Sequence, residues 1–226
     1  MMGSPSDEVV VSIHTDTRDS VFERVMHIYT ESFPDNERQT RDTLEERIHS
    51  GRETLSVAFL KDEPVGFSLV WTLKNLAFDL LDYLAVREAS RGSGYGSQIF
   101  RETAQRVFHA GRSIVIEVED PDYGDDSDRK RRRIEFYMRN GAAILEGFSY
   151  ILPPLDGTRP IRMRLLFFLN EDKRRGMEMR ELGNLIRRIY KDVYGRDGDD
   201  PYLQEMIMNL PVEPKLSYRY GESRIA

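Results

Sequence analysis

Residues 80 to 119 read "LLDYLAV", a short loop, "SRGSGYGSQIF" running into "RETAQRVFHAG", and then "SIVIEVE". Two β-rich apolar runs are thus separated by a glycine turn and a helix-length segment that stops at Gly111. A hairpin cannot join strands across an intervening helix; a right-handed crossover can, and it makes its two strands parallel. The runs at 80–86 and 114–119 are therefore expected side by side in one sheet. This unit excludes all-helical and all-β folds. It also sets three glycines and an arginine at the mouth of a helix, where the first backbone amides have no intrahelical acceptor and stand at the positive end of the dipole. Such a turn suits either close backbone approach to an anion or a tight helix entry.

The flanking segments extend the sheet. "VVVSIHT" at 9–15 reads as a strand, and "SVFERVMHIYTESF" places Val21, Val25, Ile28 and Tyr29 on one helical face. "RDTLEERIHS" is a second, shorter helix, and "TLSVAFLKDEPVGFSLVWTL" is a hairpin turning at "KDEP". After the crossover, "RRRIEFYMRNG" is a helix ending at Gly141, and "AAILEGFSYI" and "RMRLLFFL" close the sheet. The expected class is α/β (α+β): a mixed, mostly antiparallel twisted sheet with a central parallel βαβ pair flanked by helices. No internal repeat is present.

Residues 171–226 change character. A hinge-like "NEDKRRG" leads to "MEMRELGNLIRRIYKDVYG", where Met179, Leu182, Ile186, Ile189 and Val193 form a helical stripe. "RDGDDP" breaks that helix, "YLQEMIMNL" adds a short one, and the last ten residues are expected to be loose. The expectation is a main domain at 1–170 with an amphipathic helical extension at 171–226, packed on the domain or used for dimerisation.

Charge and composition narrow the function classes. A formal net charge of -6 disfavours nucleic acid and anionic membranes as partners. No run approaches the roughly 20 apolar residues of a membrane span. The acidic start "MMGSPSDEVV" lacks the basic and apolar regions of a signal peptide, so a cytoplasmic location is expected. With no cysteine there is no thiolate zinc site or thiol nucleophile, and His14, His27, His49 and His109 are too scattered for ligand spacing. No metal is expected.

The order of elements, taken with two motifs, resembles the GCN5-related N-acetyltransferase (GNAT) superfamily over roughly residues 9 to 169. The first motif is an aromatic-x-A-V strand followed by Q/R-x-x-G-x-G/A, here "YLAV" (Tyr83 to Val86) and Arg91, Gly92, Ser93, Gly94, Tyr95, Gly96. The second, F-Y-x-x-x-G-F, is matched by Phe136, Tyr137 and Gly141, with Ala142 in place of the last aromatic residue. "ESFPDNERQ" and "EFYMRNGA" are similar to a group of bacterial members without an assigned substrate.

The resemblance implies an enzyme that passes an acyl group from acetyl-CoA to an amine by direct attack in a ternary complex. The amides from Arg91 to Ser97 would cradle the pyrophosphate of coenzyme A. By motif position the Leu84 N–H would meet the acyl carbonyl as an oxyanion donor, and Val86 would bind the pantetheine arm through its backbone. Tyr137 would protonate the departing thiolate. "RKRRR" at 129–133 reads as a solvated run paired with "DDSD", or as a contact for the 3′-phosphate.

The general base departs from the pattern. The position where several members carry a glutamate is Leu80 here. Alternation places Glu117 and Glu119 on one face of "IVIEVE", as catalytic or as structural carboxylates. Asp82, Glu37 and bound water are further candidates. The acceptor stays open among a small amine, an amino acid, a peptide and a protein lysine; a longer acyl group, or acyl-CoA binding without turnover, are the rival readings.

Overall fold

A computed structural model describes residues 9–155, 159–171 and 177–220. The hinge read at 170–176 and the end of the expected loose tail lie largely outside these residues. The described chain forms two compact units, one holding the residues up to Thr72 together with Leu81–Arg106, the other Leu73–Leu80 and Val107 onward.

In the first unit, β1 (Val10–His14) pairs antiparallel with β2 (Glu53–Leu60), from Val10 opposite Phe59 to His14 opposite Leu55. β2 pairs with β3 (Glu63–Thr72), and the hairpin turns at Lys61 and Asp62, both left-handed with φ of 50° and 66°. Those angles match the right-handed twist of the flanking strands. Glu63 and Pro64, expected in the turn, already belong to the strand. The sheet order continues into β4 (Phe78–Val86), which starts in the second unit and ends in the first.

Helices α1 (Ser20–Ser32) and α2 (Arg41–His49) start where side chains can accept orphan amides: Asp19 accepts from the Phe22 N–H and Thr40 from the Thr43 N–H. Phe22, Val25, Ile28 and Tyr29 of α1 bury against Leu55, Val57, Phe67, Leu69, Tyr83 and Ala85. A second cluster, Val9, Ala58, Val65 and Ile99, takes the other sheet face with α3 (Tyr95–His109). Gly66 lets that helix approach, because a β-carbon there would stand 2.6 Å from Ile99 Cδ1 and 2.7 Å from the Ala85 carbonyl oxygen.

In the second unit, the first residues of β4 lie beside β5 (Ser113–Glu119), parallel to it as the crossover requires. β8 (Ile161–Phe168) pairs antiparallel with β5, with β6 (Ala143–Leu145) and with β7 (Tyr150–Leu152). "AAILEGFSYI" is thus two short strands separated by a turn at Gly147, whose φ is 66°. A two-residue strand, β9 (Leu216–Ser217), pairs with β6. So short a segment carries no periodicity, which is why it was not expected. α4 (Ser127–Arg139) follows β5.

The amphipathic stripe forms α5 (Met179–Asp192), followed by α6 (Pro201–Met208), which packs on α5 and β7. Leu182, Leu185, Ile186, Ile189 and Tyr190 of α5 are fully buried. At about 1.5–3 kcal/mol for each large apolar side chain removed from water, this helix is part of the core of its unit. Met179, expected on the stripe, is 43% exposed at the helix start.

Candidate active site

The expected cofactor-binding residues lie in the first unit, whereas Tyr137, Glu117 and Glu119 lie in the second. After β4, the Arg87 N–H donates to the Val65 carbonyl (2.9 Å), and a 3₁₀ turn at Glu88–Ser90 follows. The chain then passes through Gly92 and Gly94, both left-handed with φ of 83° and 84°. A β-carbon at either position would meet no atom within 4 Å, so these glycines answer a backbone requirement and the space above them is open. Alternating left-handed residues at a helix start turn successive amides toward one point, the geometry of an anion nest.

Both ends of the expected cradle are engaged inside the protein. The Arg91 N–H donates to the Glu88 carbonyl (3.1 Å) and the Ser97 N–H to the Gly94 carbonyl (3.1 Å). The amides at the mouth are therefore those of Gly92, Ser93, Gly94, Tyr95 and Gly96. Arg91 acts as a strut: its Nε donates to the Val86 carbonyl (3.2 Å) and its Nη2 to Ser32 Oγ of α1 (3.3 Å). Glu31 of α1 accepts from the Glu88 N–H at 2.9 Å. The turn is thereby tied to α1 on both sides.

Leu84 and Val86 are half-buried on the α3 face, packed with Tyr95 against the Val9, Ala58, Val65 and Ile99 cluster. Tyr83 faces α1, its ring 4.8 Å from Tyr29 and 4.9 Å from Phe33, and its hydroxyl donates to the Glu37 carbonyl (2.8 Å). Asp82 also turns toward the helices and meets Arg47 of α2 at 3.2 Å. Strict alternation would send Asp82 and Tyr83 to opposite faces, so the strand is irregular here. Glu53 lies beside Asp82 with both carboxyl oxygens buried, and Arg47 caps the pair while stacking 4.8 Å over Trp71. Burial raises both carboxyls above the ordinary range; Asp82's charge raises Glu53 further, and Arg47 opposes both shifts. Neither Glu53 nor Arg47 stood out in the sequence, although Glu53 shares the period-2 face of Leu55 and Val57.

In the second unit the β5–β8 register sets Glu117 opposite Leu165 and Glu119 opposite Met163, and Tyr150 is also opposite Met163. The two glutamates and Tyr150 thus share a face, as alternation implies, but their partners differ. Glu119 is buried between Lys130 Nζ and Arg133 Nη1, each at 3.4 Å. Lys130, read as part of a solvated run, is itself buried and donates to the Tyr123 carbonyl at 2.7 Å. Only part of that run pairs with the acidic stretch, through Arg129–Asp126 (3.7 Å) and Arg131–Asp128 (3.4 Å). Glu117 is half-buried and accepts from the Tyr194 hydroxyl, delivered from the end of α5.

Around Glu117 the rings of Tyr150, Tyr190 and Tyr194 stack edge to face, with centroids 6.2 and 6.0 Å apart in successive pairs. Burial, then the charge of Glu117, push the Tyr150 hydroxyl well above its ordinary value. The Tyr190 hydroxyl donates to the Ile151 carbonyl (2.5 Å). Tyr137 sits on the inner face of α4 with Ile134, its ring 5.1 Å from Phe136. Burial raises its pKa, opposed by Arg133, so the phenol keeps its proton at neutral pH. Among the described residues, no cluster of three or more histidine, aspartate or glutamate side chains could hold a metal ion, and no helix is long and apolar enough to cross a membrane.

The model of the Acetyltransferase (GNAT) family matches residues 22–141. A protein from Bacteroides thetaiotaomicron assigned to the GNAT acetyltransferases is 25% identical, with a TM-score of 0.69 over 83% of this chain and 99% of that one. A Bacillus subtilis acetyltransferase solved in complex with CoA is 15% identical, with a TM-score of 0.51 over 71% of this chain and 98% of its own. A Salmonella typhimurium protein described as an acetyltransferase with its cofactor acetyl-CoA is 12% identical, with a TM-score of 0.55 over 76% and 98%. No curated protein matches the chain significantly.

Proposed function

We propose a function from one premise: the chain belongs to the acetyltransferase (GNAT) family. The reading is transfer of an acetyl group from acetyl-CoA to a primary amine, by direct attack in a ternary complex. The observation that carries it is the pair of left-handed glycines, Gly92 and Gly94, opening α3 with clear space above them. A diphosphate suits that helix mouth, because its charge would meet amides without an intrahelical acceptor and the positive end of the helix dipole. Acetyl-CoA supplies the activated thioester. The backbone of Val86 pairs with the pantetheine arm, and the Leu84 N–H donates to the carbonyl oxygen as negative charge develops on it.

The amine nitrogen bonds to the thioester carbon, and the carbon–sulfur bond breaks as the carbonyl re-forms. Tyr137 gives its proton to the leaving sulfur; a phenol with a raised pKa holds that proton until a thiolate appears. The nitrogen must also lose a proton. Glu117 serves that step in this reading, because Glu119 is neutralised by Lys130 and Arg133, whereas Glu117 has the neutral phenol of Tyr194 beside it.

A thiol-release assay with acetyl-CoA against spermidine, free amino acids, and peptides with free N-termini or lysines tests the proposal. Release with at least one acceptor is expected. Tight coenzyme A binding with no release for any amine would reduce the chain to a binding module.

A further inference from the structure

A cleft of about 830 Å³ lies wholly within the second unit, between α4, the turn after β6 and the chain segment that carries β9. That volume is in the range of small-molecule sites. α4 presents Arg131 and Glu135 to the cleft. Arg133, two positions on and about 200° round the helix, turns instead to Glu119, and Tyr137, one turn further, shares that side. The cleft therefore lies across α4 from the proposed acid.

β6 supplies Ile144 and Leu145 to its wall, and its charged lining is four basic and four acidic side chains. Arg164 of β8 is the most constrained of these. It meets Asp120 at 3.3 Å through Nε, and the other Asp120 carboxyl oxygen accepts the Asp122 N–H at 3.0 Å, so that carboxylate is engaged at both oxygens. Nε is closed off from solvent without a hydrogen bond, and among the described residues the Arg164 guanidinium donates none. A guanidinium carries five N–H donors in a planar fork, and donors left unmade in a half-buried place are costly until a ligand or water takes them. Tyr220 stands beside it. Burial raises the pKa of its hydroxyl, Arg164 opposes the rise and Asp122 adds to it, so the phenol stays neutral. On the rim, Lys215, Glu146 and Glu213 are exposed and make no ion pair among the described residues.

We propose that this cleft binds a zwitterion with an apolar body, a free amino acid or a short peptide. Its carboxylate meets the Arg164 guanidinium and the Tyr220 hydroxyl, and its ammonium meets the acidic rim of Glu146 and Glu213. The apolar part lies along the β6 wall and the stems of the long basic side chains. The balance of charge selects this class. A phosphate dianion would bring two charges to a lining whose own charges cancel and whose half-buried arginine already holds Asp120; a carboxylate joined to an ammonium keeps the sum at zero and matches both signs.

Titration calorimetry on the full chain, with leucine and leucyl-leucine as probes, tests the assignment. Saturable binding of at least one, with a Kd of about 1 mM or below, is expected, and the preferred probe separates the free amino acid from the peptide. The amide and the N-acetyl form of that probe each lack one charge and should bind about tenfold more weakly, a comparison that leaves the fold untouched. Arg164→Lys keeps a cation beside Asp120 but removes the fork, and should also weaken binding about tenfold. In ¹H–¹⁵N spectra the amides of Gly147 and Tyr220 should shift along the calorimetric isotherm, which places the probe here and not at the acceptor site. Shifts confined to residues outside the cleft would overturn the site. Equal binding of the charged and blocked probes, or saturable binding of inorganic phosphate in place of both, would overturn the ligand class. No binding of either probe up to about 10 mM would overturn the proposal as a whole.

Discussion

The turn that opens α3 and the carboxylate on β5 are two ways of building a site from the same chain. In the proposed function the turn would act through its backbone, shaped by the left-handed Gly92 and Gly94, while the Arg91 side chain ties it to Val86 and Ser32. At Glu117 the chain would act through side chains, with Tyr150 of β7 and Tyr194, just after α5, beside the carboxylate. Backbone sites tolerate side-chain change but not a change of φ, and side-chain sites show the reverse. Changes in the second unit should therefore damage chemistry and spare binding, while changes at the turn should damage binding first.

The largest expected effect tests that division directly. Tyr137→Phe removes one hydroxyl from a buried ring and leaves the packing against Phe136 in place. Coenzyme A affinity should stay within twofold by calorimetry, while kcat falls by about 10²- to 10³-fold, the scale of a lost general acid. Equal loss of affinity and rate would show that Tyr137 binds and does not donate a proton.

The second effect, roughly 10- to 100-fold, belongs to the turn. Valine at position 94 would have to adopt a φ of 84°, which costs an L-residue about 1–2 kcal/mol or reshapes the nest. The new side chain meets no atom of the protein, so the fold should survive and the loss should appear as weaker coenzyme A binding. Unchanged affinity in folded Gly94→Val would take the pyrophosphate away from this turn and erase the contrast.

These two regions also differ in how far they can be read without coordinates. The turn is local: strand, glycine spacing and helix lie within twenty residues, and each constraint acts on its neighbours. The expectation for Tyr137 is equally local, because it rests on the spacing to Gly141. The partners of Glu117 come from elements joined by no short-range pattern, so Tyr150 and Tyr194 look like ordinary packing residues. Lys130 is a different case. It lies at helical spacing from Ile134 and Tyr137, both buried, and that periodicity marks it as inward-facing even inside "RKRRR". Charge outweighed period in the reading of that run, and Glu119 supplies the physical reason a lysine can be buried there.

Glu119 provides the third prediction. Glu119→Gln keeps the shape but removes the charge that balances Lys130 and Arg133, so the chain should lose about 1–3 kcal/mol by urea unfolding. In the fraction that remains folded, thiol release should keep its wild-type pH profile. A lost acidic limb would transfer the base from Glu117 to Glu119.

The smallest effect concerns a buried carboxyl in the first unit, and it sharpens the contrast because that carboxyl is assigned no chemistry. Burial, with Asp82's charge added, raises Glu53 well above the ordinary carboxyl range. The folded chain then keeps a proton that the unfolded chain releases once the pH passes about 4.3. A folded state that binds more protons loses stability as pH rises, so this contribution is fully present below the unfolded value and declines until the pH passes the folded one. Asp82, also raised, adds a decline of the same sign. Glu53→Gln keeps the shape and removes one of these titrations. Its stability should fall less steeply with pH than the wild type above pH 4.3, and its melting temperature at neutral pH should be higher by roughly 2–4 °C. Thiol release should be unchanged. A variant that instead melts lower at neutral pH would show Glu53 ionised against Arg47, making the pair with Asp82 a charged site and removing the distinction between the units.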